Sequence, residues 1–367
     1  MSPTAELHVF MLGATGYLGS QFLVELSRAE KVQTFRIIAL VRNLTPEKEA
    51  KLKGIYRNLH AIEGDLDSGG IIQEQVSKAD IVINCASSDH WPCVRATLAG
   101  LEERSAQNPG NPPLYIHVSG LGILSDNSRG GPAKRDEYTD IGFTLEQCPS
   151  GNEHLHCDIP ISQAGTRKEN PIRTIILYPG WIHGLGEGSI FPHSRLSSFM
   201  TRVQGVQEIT AAIKIVLNVA KSAGHAGTWG EGHNKISNIH VKDVANAIVV
   251  LLEAALQGNA GAVGAGAHEL YFATGQEKVI TCGELMGKMG DILYRNGIVK
   301  SPDSKPYPDE ALAPLGNAGW SMFGGNLLAR SEKLLRLGWE PTETKKIPLL
   351  ETLAEEVELA AQEIWKE

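Results

Sequence analysis

The sequence predicts an α/β chain built on a doubly wound parallel sheet. Three observations carry that expectation. Short apolar runs of strand length recur along the first half of the chain, and stretches of helical or polar character separate them. Strands that alternate with helices build a parallel sheet whose ligands sit at the carboxyl ends of the strands. Finally, Leu7 to Gly19 reads as an apolar run, then glycines at Gly13, Gly16 and Gly19, with Leu18, Phe22 and Leu26 at helical spacing.

That first unit sets the expectation for a ligand. The glycines allow a tight turn and a close backbone approach, and the helix N-terminus behind them offers unpaired N–H groups and partial positive charge, which suit a pyrophosphate. A dinucleotide site is therefore expected here, with Gly13, Thr15, Gly16, Tyr17 and Leu18 as its residues. Phe35 to Val41 is the second buried strand and ends at Arg42. An acidic residue at that point would bind a free ribose 2′-hydroxyl, whereas an Arg pairs with a 2′-phosphate, so NADP is expected over NAD. Thr45 to Lys53 reads as a charged helix start.

Leu59 to Asp67 reads as a third strand and its exit, placing Asp65 and Leu66 beside the adenine. Ala79 to Ser88 is a fourth strand, whose small exit residues, including Ala86 and Ser87, let a ligand pass close to the backbone. Val94 to Arg104 is helical, and Leu114 to Ser119 is a fifth strand ending at Ser119. The polar, aperiodic stretch from Leu121 to Gly165 contains Lys134, Arg135, Asp136, Glu137 and Tyr138, and its length favours a functional role. Thr174 to Tyr178 is a sixth strand, followed by Pro179, Gly180, Trp181, Ile182 and His183. Beyond it come a helix at Ile209 to Ser222, a strand and amphipathic helix within Ile236 to Glu253 with Asp243 as its expected cap, a strand at Leu270 to Thr274, a helix at Cys282 to Tyr294 and a terminal helix from Leu349 to Lys366.

Composition narrows the class. The 367 residues are 42% hydrophobic and 21% charged, which is globular and long enough for a large core. The net charge of −8 and the lack of a long Lys/Arg cluster argue against nucleic acid or anionic membrane as partners. No apolar run reaches the roughly 18 residues that span a bilayer, and the first residues lack a secretory pattern. Five cysteines without a Cys-x-x-Cys pair fit a reducing compartment and argue against structural zinc. A cytoplasmic chain with a small-molecule substrate, no metal and a possible homodimer is expected.

The glycine turn, the 238–245 stretch NIHVKDVA, the 178–184 stretch YPGWIHG and the 333–341 stretch KLLRLGWEP together resemble the extended short-chain dehydrogenases/reductases. More closely, the chain is similar to fungal NAD-dependent epimerase/dehydratase-like proteins. The resemblance covers nearly the full length. It implies a Rossmann-type doubly wound sheet with a smaller C-terminal α/β substrate domain. The expected division is 1–184 plus 236–257 for the dinucleotide-binding domain and 185–235 plus 258–367 for the substrate domain, with Pro179, Gly180 and Ile182 also near the cofactor. It further implies an oxidoreductase or epimerase, of the kind found in secondary metabolism.

The family's chemistry uses a Ser, a Tyr and a Lys, with Lys⁺ lowering the pKa of the Tyr acid/base. Ser119 fits the first role. No Tyr-x-x-x-Lys follows it; the slot falls at His154 and Asp158, four apart, which a helix would place on one face. Asp158 has the wrong charge to replace Lys but could orient a His and raise its basicity. His154 and Asp158 are thus the expected substitute pair, with Tyr138 as another candidate acid. Ser87, His90, Trp181 and His183 border the expected site, while His240 and Lys242 are expected to join the two lobes. Two activities follow. One is an NADP(H)-dependent oxidoreductase or epimerase acting on a small carbonyl or alcohol. The other keeps the fold without net redox chemistry, as an isomerase, a cyclase or a sensor of the NADP/NADPH ratio.

Overall fold

The computed structural model describes residues 6–29, 35–134, 137–187, 210–275 and 279–365. Strands β1 (Leu7–Leu12), β2 (Phe35–Val41), β3 (Leu59–Glu63), β4 (Ile81–Asn84), β5 (Leu114–Val118), β6 (Arg173–Pro179) and β7 (Leu270–Ala273) form one sheet in the order β7-β6-β5-β4-β1-β2-β3. Every neighbouring pair in it is parallel. The strands are near-continuous apolar runs because both faces of the sheet are covered. The doubly wound parallel sheet expected from the sequence is present. It takes in β7, which lies beyond the 257 limit expected for the dinucleotide-binding domain.

Helix α1 (Tyr17–Arg28) presents Phe22, Leu23 and Leu26 to one face of the sheet, beside α7 (Val241–Leu256), whose Val244, Ala247, Ile248 and Leu251 form the stripe read from the sequence. Full burial of each of the larger side chains stabilises the fold by about 1.5–3 kcal/mol. On the opposite face lie α3 (Gly69–Val76), α4 (Trp91–Gln107) and α5 (Leu155–Ala164), packed through Ile72, Val94, Leu101 and Ile161. Helix α2 (Pro46–Ile55) starts at Thr45, whose hydroxyl accepts from the Lys48 N–H.

The cap of α7 differs from expectation. The His240 imidazole caps this helix, accepting from the Lys242 N–H, while Asp243 sits in the first turn and accepts from the Glu343 and Thr344 N–H groups. Asp243 thereby ties the C-terminal region to α7 rather than starting the helix.

Helices α6 (Ala211–Ala223) and α8 (Cys282–Arg295) both pack on the terminal helix α9 (Leu349–Ile364). The expected helix start at Ile209, and Arg135 and Asp136 of the charged cluster, lie outside the described residues. Two short parallel strands, Trp181–His183 and Asn238–His240, link β6 to α7. All five cysteines are free. Among the described residues, no helix is long and apolar enough to cross a membrane.

Candidate active site

The strand order reverses between β1 and β4, so the carboxyl ends of these two strands part and leave a crevice. Gly13 occupies that point. Its φ is +86°, and a Cβ there would lie 2.7 Å from the Ala86 nitrogen and the Cys85 carbonyl carbon, so only glycine fits. Gly19 closes the turn from the other side, where a Cβ would sit 2.1 Å from the Gly13 carbonyl oxygen. Helix α1 begins at Gly16, which supplies no side-chain cap. Its first N–H groups are thus left to an anion, and the turn fits a dinucleotide pyrophosphate.

Not every residue expected around that turn faces outward. Tyr17 and Leu18 are buried: the Tyr17 hydroxyl donates to the Gly184 carbonyl, and Leu18 packs into the core under α1. Their side chains are therefore removed from the expected cofactor contacts by tertiary packing. Gly13, Thr15 and Gly16 remain partly exposed. Arg42 follows β2 with an exposed side chain, and its carbonyl accepts from Lys48 Nζ. Asp65 is exposed after β3, where the Ser68 hydroxyl holds its carboxyl below the ordinary value; Leu66 is half-buried against the core. Pro179 and Gly180 are buried, with Gly180 closed over by Ser237, and Ile182 is half-buried in its short strand.

The exit of β4 is organised by Asn84. Its Oδ1 accepts from the Ala86 N–H at 2.9 Å, and its Nδ2 donates to the Ser87 carbonyl at 3.1 Å. Five residues after Asn84, Asp89 reaches the segment that precedes α5. Its Oδ1 accepts from the His154 backbone N–H at 3.0 Å, and both carboxylate oxygens lie 2.9 Å from His154 Nδ1. His154 is not part of the helix. It has φ +71° and caps the start of α5 without a side-chain cap bond. The expected His154–Asp158 pair is thus corrected: the carboxylate that hydrogen-bonds to His154 is Asp89, because His154 stands at the left-handed cap ahead of α5 while Asp158 turns to Ser119.

The electrostatics follow from this contact. The Asp89 carboxyl loses solvation, but the His154 imidazole more than offsets this and holds it down at about 2. Burial alone would lower the His154 pKa; the Asp89 hydrogen bond and charge outweigh it and raise the imidazole above its ordinary value. His154 Nε2 packs against Gly120 and Gly122, where an added Cβ at either would come within 3.0 Å. The ring therefore sits against the exit of β5, beside Ser119.

Asp158, in the first turn of α5, is fully buried and accepts from the Ser119 hydroxyl at 2.7 Å. Burial pushes its pKa up to about 7 against the opposing effects of Ser119, His154 and Tyr178. The Tyr178 hydroxyl faces this carboxyl but completes no hydrogen bond with it, and Asp158 Oδ1 is left unpartnered. His117 Nε2 stands 3.6 Å from that oxygen, and burial pushes the His117 imidazole down to about 3. Its Nδ1 lies 2.9 Å from the Tyr115 hydroxyl and 3.2 Å from Asn84 Nδ2. The alternation of β5 explains the grouping, since Tyr115, His117 and Ser119 share one face of the sheet.

Tyr138 does not belong to this group. Its backbone pairs with Ala329, and its ring packs edge-on against Phe143 at 6.0 Å. Pairing with the C-terminal region fixes it there. His90 caps α4 by accepting from the Cys93 N–H and faces Asp67 at 3.1 Å. Trp181 is buried against Phe323, and His183 is buried with Nδ1 3.1 Å from the Thr352 hydroxyl. A cavity of about 530 Å³ lined by Ser27, Ile55, Tyr56, Arg57 and Asn58 opens where β3 begins. That is the amino-terminal side of the strands, away from the chemistry just described.

Residues 9–97 match the NAD dependent epimerase/dehydratase family, a span that runs from within β1 through the glycine turn and past β4. An oxidase of Acremonium sp, ucsJ, is 25% identical over 95% of this chain and 96% of its own length. A second relative, dTDP-4-dehydro-6-deoxy-D-allose reductase of Streptomyces sp, is 23% identical over 81% of this chain and 85% of its own. Among solved structures, dTDP-glucose 4,6-dehydratase from Bacillus anthracis in complex with NAD superposes with a TM-score of 0.59 at 17% identity, covering 98% and 99% of the two chains. This likeness is one of fold.

The site holds four polar residues that the sequence reading missed: Asn84, Asp89, His117 and Tyr178. His117 had a signal, a lone imidazole inside the apolar strand LYIHV. Asp89 had none, because its partner lies 65 residues away.

Proposed function

We propose that the protein is an NADP(H)-dependent oxidoreductase or epimerase acting on a small organic carbonyl or alcohol, with His154 as the acid/base. The observation that carries this reading is the Asp89 grip on His154 beside Ser119, on the side of the sheet where the Gly13 turn opens. When bound, the nicotinamide supplies or accepts hydride. Gly13, Thr15 and Gly16 would hold the pyrophosphate, and Arg42 at the end of β2 supports a 2′-phosphate. Ser119 orients the reacting oxygen. Asp89 fixes the His154 proton on Nδ1, leaving Nε2 to give or take a proton.

A second reading rests on Ser119 and Asp158. An Asp stands at the expected lysine slot, and the Ser119 hydroxyl is donated to it. That arrangement favours an isomerase, a cyclase or an NADP-ratio sensor without net redox turnover.

One experiment separates the readings. NADPH binding is followed by fluorescence, and NADPH absorbance is followed with a panel of ketones and aldehydes, for the wild type and His154→Ala. Carbonyl-dependent oxidation that His154→Ala abolishes supports the first reading. NADPH binding with product formed but no net oxidation supports the second. Absence of NADPH binding overturns both.

A further inference from the structure

The group behind Ser119 has a proton arrangement that its own hydrogen bonds fix. The Ala86 backbone N–H can only donate, so the Asn84 atom it meets at 2.9 Å is the carbonyl oxygen and the other is the NH₂. That NH₂ donates to the Ser87 carbonyl and toward His117 Nδ1. His117 Nδ1 is therefore an acceptor, which the Tyr115 hydroxyl 2.9 Å away also satisfies. The neutral imidazole then carries its hydrogen on Nε2, which stands 3.6 Å from Asp158 Oδ1 without completing a hydrogen bond to it. An oxygen that faces an N–H keeps its lone pairs toward it. A proton on Asp158 thus belongs on Oδ2, the oxygen 2.7 Å from Ser119.

We infer that Asp158 is a positioning residue whose charge sets the direction of the Ser119 hydrogen bond and so selects whether the site receives the substrate as a carbonyl or as an alcohol. With Asp158 neutral, its Oδ2–H donates to Ser119, and the Ser119 hydrogen turns outward to a carbonyl oxygen. With Asp158 ionised, Ser119 donates inward and offers only lone pairs, which suit an alcohol O–H. The switch takes up or releases one proton and changes no covalent bond to carbon. The inference rests on the reading above in one respect, that Ser119 meets the reacting oxygen.

The surroundings make the switch sensitive near neutrality. Ser119, His117 and Tyr115 face the carboxyl from β5 and Tyr178 from β6, while Cys157 lies on α5 itself. His154 approaches from the segment before α5, Cys148 from the loop ahead of it, and Asp89 from the turn after β4. His117 cannot serve as a counter-charge, because burial keeps it neutral. The carboxyl is fully enclosed and half unpartnered, so desolvation opposes its ionisation while Ser119 favours it.

The test is difference infrared spectroscopy of the whole protein from about pH 5 to about pH 9. Expected is a protonated-carboxyl band at the acid end that disappears with a midpoint near neutrality, is absent from Asp158→Asn, and moves in Ser119→Ala. No Asp158-dependent band at the acid end, a band that persists to the alkaline end, or one indifferent to Ser119→Ala overturns the inference. Should Asp158→Asn fail to fold, ¹³C-aspartate labelling of the wild type and of Ser119→Ala assigns the band. NADPH fluorescence titration on the same samples keeps the two ideas apart. Loss of NADPH binding sinks the functional reading and leaves the band result standing, whereas binding without the band sinks only the switch.

Discussion

Asp89 holds His154 at two points, accepting from the backbone N–H at 3.0 Å and from the imidazole Nδ1 at 2.9 Å. One carboxylate thereby fixes both the left-handed backbone of His154 and the orientation of its ring. Asp89→Asn should lower the His154 pKa, read by NMR titration of the imidazole. The sign for stability is set by a folded-state pKa above the unfolded one. His154 contributes fully below its unfolded value, near 6.5, and the contribution is lost as pH rises through its folded value. Because the Asp89 side chain is 39% exposed, solvent screening limits the loss in Asp89→Asn to about 1 kcal/mol or less. Denaturant unfolding at acid and alkaline pH checks this; an unchanged His154 titration in the variant would refute it.

Gly13→Ala meets two obstacles at once, a positive φ and backbone atoms 2.7 Å from the new Cβ. Strain of this kind costs about 1–3 kcal/mol, and relieving it must part β1 from the exit of β4. NADPH affinity should fall by roughly tenfold or more, with a lower melting temperature. Isothermal titration of the folded variant measures the first, and wild-type affinity would show that the turn is not the phosphate site.

Arg42→Ala should discriminate between the two nicotinamide cofactors. A charge-assisted bond to a phosphate contributes about 1.5–3 kcal/mol, so NADPH affinity should drop by about 10- to 100-fold while NADH affinity stays level. Equal losses for both nucleotides, or none for either, would remove the argument for the 2′-phosphate.

Glu356 on α9 accepts from the Gly184 N–H at 2.8 Å, and its Oε2 is buried without a partner. Burial pushes its pKa up to about 7. The unfolded chain releases this proton near 4.5, so between these values the folded state binds more protons and stability falls as pH rises. Glu356→Gln keeps an acceptor for Gly184 and removes the titration. The variant should gain on the order of 2 kcal/mol over the wild type near pH 8, with a flatter stability profile between pH 5 and 8 in urea melts. Parallel profiles for the two proteins would contradict this.

The legible and illegible parts of the molecule differ in range. Gly13, Gly16 and the Leu18–Phe22–Leu26 stripe are local, and their spacing alone marks a strand, a turn and a helix. Strand exits at Arg42, Ala86 and Ser119 follow from apolar runs that end in small or polar residues. Helical arithmetic failed at His154, because it assumed that two residues four apart lie in one helix, and a left-handed residue breaks that assumption. Asp89 and Asp158 could not be assigned their partners, since each contact joins segments 65 or 39 residues apart. Tyr17 shows the converse: its position in the turn was readable, but the Gly184 carbonyl that claims its hydroxyl is 167 residues on.

The sheet places Leu12, Asn84, His117 and Ile176 side by side on a single rung across β1, β4, β5 and β6. A frame shift of one residue in β4 would carry Asn84 to the far side of the sheet. The amide that dictates the His117 tautomer would then be gone, although every residue type remained in place. In this molecule, deletions and insertions upstream of a strand exit threaten the site more than many point changes within it, and a chimera spliced inside β4 must conserve parity as well as sequence.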